Sequence, residues 1–151
     1  MSRAPDLPER LFERAGPLLD RLRTEAPTHA TVLRKAREIL ESMNDAEQVA
    51  VINAHPRIGE RPDRLSPASL NEQRFGRDLP SAEVLRQLAA LNDAYERKFG
   101  FRFVIFVNRR THDAIVPILE ARLVSTRDEE RRTALREILA IAADRLKREE
   151  S

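Results

Sequence analysis

The chain of 151 residues is long enough for one domain with a buried core and too short to suggest two. Charged residues make up 34% and aromatics 5%, with aliphatic residues supplying most of the apolar content, which points to a helical protein, and no apolar run reaches membrane-spanning length. Arginines interleaved with Glu and Asp leave a net charge of +2 and no basic cluster alternating with aromatics, so no nucleic-acid surface is expected; the lack of cysteine excludes disulfides, thiol nucleophiles and thiolate metal sites.

Leu7 to Ala15 and Pro17 to Glu25 read as two helical pieces broken at Gly16-Pro17, with Leu7, Leu11, Phe12, Leu18, Leu19 and Leu22 inward. After Pro27, Thr28 is the expected cap of an amphipathic helix carrying Val32, Leu33, Ala36, Ile39, Leu40 and Met43. Asn44 with Glu47 makes a capping-box pair that opens a helix bearing Val49 and Ile52. Pro56 pushes His55 out of the helical region, so that helix should end at the histidine. Arg57 to Leu65 should form a surface loop, and Ser66-Pro67 a helix start that puts Ser69, Glu72 and Gln73 on one face.

Ser81 caps a longer helix with Val84, Leu85, Leu88, Leu91 and Tyr95 as core positions and Gly100 as its stop. Phe101 to Val107 is rich in β-branched and aromatic residues, yet no second strand is available to pair with it. An extended buried segment is expected, with backbone groups that need other partners. Thr111 or Asp113 caps the next helix, which carries Ile115, Leu119 and Leu123 and tolerates Pro117. Thr126 and Glu129 form a second capping box, before a helix with Leu135, Ile138, Leu139, Ala142 and Leu146 inward.

His29, His55 and His112 are scattered, without His-x-x-x-His or clustered carboxylates, so no metal site is expected. A lone histidine at a helix end is more often structural than catalytic, and Glu72 and Gln73 on their own would be ordinary surface residues. Arg122 falls within the apolar stripe of its helix, a position that calls for an ion-pair partner, while Arg145 lies on the flank of the last stripe.

Three blocks change the weight of these residues: His55-Pro56-Arg57-Ile58-Gly59, then Ser69-x-x-Glu72-Gln73, then Lys98-Phe99-Gly100-Phe101-x-Phe103-Val104-Ile105. In this order, with a looser fourth set at Arg122-Leu123, Ala134-Leu135, Glu137-Ile138 and Arg145-Leu146, the chain resembles the 2-oxo-4-hydroxy-4-carboxy-5-ureidoimidazoline (OHCU) decarboxylases of purine breakdown. The likeness runs from about Asp45 onward. It implies an all-α fold, a single-domain irregular multi-helix bundle over 1–151, acting in urate catabolism by releasing carbon dioxide from OHCU to leave (S)-allantoin. The ring's own C=N and carbonyl groups can accept the electron pair, so no cofactor is implied.

By the same resemblance, His55 is the proton donor and Glu72 orients the substrate, while Ser69 and Gln73 satisfy its ureido and ring groups beside Pro56. Backbone groups of Phe103, Val104, Ile105, Phe106 and Val107 would bind the ring carbonyl, and Arg145 an anionic or carbonyl group, leaving Arg122 to an internal ion pair. A small-molecule substrate and a homodimer are implied. The N-terminal sequence lacks a signal-peptide pattern and the C-terminal residues are not a peroxisomal tripeptide, so a cytoplasmic protein without nucleic-acid or membrane partners is expected. The alternative from another class is a non-catalytic helical protein-interaction domain.

Overall fold

The computed structural model describes residues 7–13, 16–60 and 80–150. Among them, α1 (Leu7–Leu11), α2 (Gly16–Thr24), α3 (Val32–Ser42), α4 (Asp45–Asn53), α5 (Ala82–Phe99), α6 (His112–Arg122) and α7 (Arg127–Glu150) follow in order, and no strand occurs. The expected helix over Ser69, Glu72 and Gln73 lies outside the described residues.

Local chemistry sets most of the helix ends. Asn44 accepts a hydrogen bond from the Glu47 N–H at 2.8 Å, and the Glu47 carboxylate accepts one from the Asn44 N–H at 3.1 Å, completing the capping box of α4. Ser81 and Thr111 cap α5 and α6 through the N–H groups of Val84 and Ala114. Gly100 ends α5 at φ 81°, in the left-handed region that a residue without Cβ enters at least cost. At α7, Thr126 accepts from the Glu129 N–H, but Glu129 answers through its carboxylate to the Thr126 hydroxyl.

Two helix starts differ from the sequence expectation. α1 closes at Leu11, and Gly16 already belongs to α2, so the break falls before Gly16-Pro17. Pro17 then sits in the first turn of α2, where its missing N–H would have no helical partner in any case. Thr31 occupies the cap position of α3, while Thr28 accepts the Val32 N–H through its carbonyl.

The described residues form two compact units, one from the chain up to His55 together with Leu135 onward, the other from Pro56 to Ala134. In the first, α2 packs against α1, α3 and α4. Leu18, Leu22, Val32, Ala36, Val51 and Ile52 are fully buried, as are Ile138 and Ala142 of α7. Each fully buried leucine there stabilises the unit by about 1.5–3 kcal/mol. In the second, α5 packs on α6 around an aromatic cluster: Tyr95 lies 4.6 Å from Phe99 and 5.4 Å from Phe103 between ring centroids. Leu85, which shares the helical period, is 39% exposed, and the buried positions of α5 are Leu88, Asn92, Tyr95 and Phe99.

Candidate active site

His55 follows α4 by two residues, because the helical bonding stops at Asn53 and Pro56 forbids its continuation. The side chain is 4% exposed, and its Nδ1–H donates to the Val51 carbonyl at 3.4 Å, a long contact that leaves the lone pair on Nε2 in the neutral ring. Two further charged groups of the same unit are buried. Arg145 of α7 donates through Nη2 to Glu13 Oε1 at 2.9 Å and through Nη1 to the Leu11 carbonyl at 3.2 Å. Glu13, in the segment after α1, is 8% exposed and Arg145 6%.

Burial lowers the His55 pKa from 6.5 to about 4, because the interior disfavours the charged ring. The Glu13 carboxylate opposes this shift, the Arg145 guanidinium adds to it, and the Val51 carbonyl opposes it again. The imidazole is therefore neutral near pH 7, in a setting where the neighbouring charges offset each other. A neutral ring of this kind can accept a proton from one atom and return it to another.

Directly after His55 the chain is clamped within the second unit. Arg57 pairs with Asp93 at 3.0 Å and with Glu96 at 2.8 Å, and both carboxylates raise its pKa further, the Glu96 hydrogen bond most. Asn92 donates to the Ile58 carbonyl at 3.1 Å, and Gly59 turns at φ +83°. The residues after His-Pro in the first sequence block thus serve the structure one by one, Arg57 as a charge clamp, Ile58 as a buried anchor and Gly59 as a left-handed turn.

Phe103, Val104, Ile105 and Val107 are buried and Phe106 is half-buried, in an extended segment without a strand partner among the described residues. Arginine side chains take up carbonyls there. Arg122 Nη1 donates to Val104 O at 2.8 Å and Arg110 Nη1 to Phe106 O at 2.9 Å, while Arg127 Nε donates to Phe99 O at 3.0 Å just upstream. Arg122 also donates through Nε to Glu130 Oε1 at 2.8 Å, and its guanidinium lies 4.5 Å from the Phe103 ring centroid. Tyr95 donates its hydroxyl to the same Glu130 oxygen at 2.6 Å; burial and that bond push the Tyr95 pKa upward.

The sequence-predicted residues distribute as follows. His55 and Arg145 belong to the first unit, Pro56 and Phe103 to Val107 to the second, and Ser69, Glu72 and Gln73 lie outside the described residues. Arg122 is held in an internal ion pair. Sequence reasoning missed Glu13, which it left among the scaffold, because its partner Arg145 lies 132 residues away and no local signal marks it.

An all-α fold that holds a desolvated, neutral histidine and a compensated buried ion pair in one unit can serve proton transfer on a small molecule. Known proteins narrow the class. A family model described as OHCU decarboxylase matches residues 4–147. The 2-oxo-4-hydroxy-4-carboxy-5-ureidoimidazoline decarboxylase of Haloferax volcanii is 30% identical over 138 residues, covering 90% of this chain and 82% of that one. The decarboxylase of the same name from Halalkalicoccus jeotgali is 33% identical over 71% of this chain and 61% of its own. The uric acid degradation bifunctional protein PucL of Bacillus subtilis is 32% identical over 75% of this chain and 23% of its own. A crystal structure of OHCU decarboxylase in the presence of (S)-allantoin superposes with a TM-score of 0.77 at 26% identity, over 95% of this chain and 96% of the other. The chain belongs to the OHCU decarboxylase family and has its fold.

Proposed function

We propose that the protein decarboxylates OHCU to (S)-allantoin in urate degradation, with His55 delivering the proton that completes the reaction. The observation that carries this reading is the buried His55 imidazole beside the Glu13–Arg145 ion pair, in a chain of this family. The carbon–carboxylate bond breaks, and its electron pair passes into the ring C=N and carbonyl system. A proton from the imidazole then closes the carbon from one side. Burial keeps the ring neutral in the free protein, so the proton is acquired once an anionic substrate lies beside it and raises its pKa.

Glu72 orients the carboxylate for departure, Ser69 and Gln73 bond the ureido and ring groups, and Pro56 lines the site. Backbone N–H groups of Phe103 to Val107 bind the ring carbonyl and the charge developing on it. Arg145 takes an anionic or carbonyl group of the substrate. We further propose that 1–151 acts as one domain, as a homodimer in the cytoplasm, a reading that sedimentation and fractionation can check. No helix among the described residues is long and apolar enough to cross a membrane.

Freshly generated OHCU followed by circular dichroism tests the central claim. The native chain should give (S)-allantoin with high enantiomeric excess, and His55→Asn should return rate and racemic product to the uncatalysed level while staying helical. Native rate and stereochemistry in His55→Asn would refute the proton-donor role.

A further inference from the structure

We propose that Glu13 is a positioning residue: it holds the Arg145 guanidinium in place and balances that charge beside the His55 imidazole. The inference rests on the reading of His55 and Arg145 as the reacting and binding groups. Nothing in the helical pattern gives Glu13 a role, yet its carboxylate is buried and lies 2.9 Å from Arg145 Nη2. The Leu11 carbonyl, two residues earlier, accepts from Nη1 of the same guanidinium at 3.2 Å. One short stretch of chain therefore grips both terminal nitrogens of an arginine that lies 132 residues further on.

Such a grip has two consequences. A buried guanidinium gripped at both terminal nitrogens keeps a fixed plane, which a flexible arginine would not do. And a buried cation with its counter-ion in contact exerts a much smaller field on a neighbouring imidazole than it would alone. Among the described residues, the charged groups that bear on His55 include Glu13, from the segment after α1, and Arg145, from α7; from its own helix α4 the ring meets the Val51 carbonyl. The two charges act in opposite senses on the ring.

The test uses the full chain, with the His55 imidazole followed by NMR and told apart from His29 and His112 by its loss in His55→Asn. Arg145→Gln removes the cation that opposes Glu13 at the ring and should raise the His55 midpoint by about one unit or more. Glu13→Gln should move it the other way, and the double variant should lie between them. In steady state, Glu13→Gln should lower kcat/KM per folded molecule by about ten- to a hundred-fold, and Glu13→Asp, which keeps the charge, should recover most of it. Should Glu13→Gln fail to fold, Arg145→Gln and Glu13→Asp still decide. A His55 midpoint unmoved in these variants, or a melting-temperature drop with native kcat/KM per folded molecule, overturns the proposal. Native activity in His55→Asn would instead sink the catalytic reading and leave the titration result standing.

Discussion

Arg122→Lys keeps the charge and removes the geometry, so its cost can be worked from the contacts. The guanidinium serves three partners at once: Glu130 Oε1 at 2.8 Å, the Val104 carbonyl at 2.8 Å and the Phe103 face at 4.5 Å. An ammonium at the end of a straight stem reaches one of the two oxygens and cannot stack flat on the ring. Losing one charge-assisted hydrogen bond costs about 1.5–3 kcal/mol, and the stacking about 0.5–1 kcal/mol more. A loss of about 2–4 kcal/mol lowers the melting temperature of a domain this size by roughly 4–15 °C. Arg122→Met should cost more, about 3–5 kcal/mol, because the Glu130 side chain is only 3% exposed and would be left as a buried unpaired charge. Thermal and urea melts measure both variants, with kcat/KM taken below the transition. Arg145→Lys is the comparison. It also loses a two-point grip, on Glu13 and the Leu11 carbonyl, so both lysine variants melt early, and the catalytic loss of the folded fraction tells them apart. The expected loss belongs to Arg145. An Arg122→Lys protein that melts with the native chain, or that loses activity while Arg145→Lys does not, refutes the reasoning.

The depressed His55 pKa makes stability fall in acid. Above pH 6.5 the neutral ring costs nothing, and between 6.5 and about 4 the unfolded chain binds a proton that the folded one does not, removing on the order of 3 kcal/mol. Urea unfolding at pH 7 and 4.5 should show a steeper acid loss for the native chain than for His55→Asn, and equal losses would count against the burial argument. Gly59→Ala should cost about 1–2 kcal/mol through its φ of +83° alone, since the added Cβ would lie 3.5 Å from Leu85 and Leu88, an ordinary contact. Gly59→Asn should be milder, and a urea series in which Ala is neutral would show that the turn relaxes. Prolonged chelation should leave turnover unchanged, as expected for a chain without cysteine whose three histidines are scattered. Activity lost to a chelator and restored by one divalent ion would overturn this.

Features whose causes lie within one helical turn are legible in the residues alone. Asn44 with Glu47, Ser81 and Gly100 mark real helix ends, as does Thr111, one of two caps the residues left open there, because a cap needs only the backbone groups two or three residues away. The charge of Arg122 inside an apolar stripe announced a paired side chain, and the stretch from Phe101 to Val107 announced a backbone in need of partners. Which groups answered was decided by tertiary structure: Glu130 for Arg122, and Arg122 and Arg110 for the carbonyls of Val104 and Phe106. Leu85 obeys the helical period and is still exposed, since period fixes a face but not what covers it. Glu13 is the extreme case. Its partner lies 132 residues away, and nothing local distinguishes it from the other carboxylates of a chain rich in charge. Only folding, by removing water from Glu13, Arg145 and His55 together, turns three ordinary titratable residues into groups whose charges govern one another.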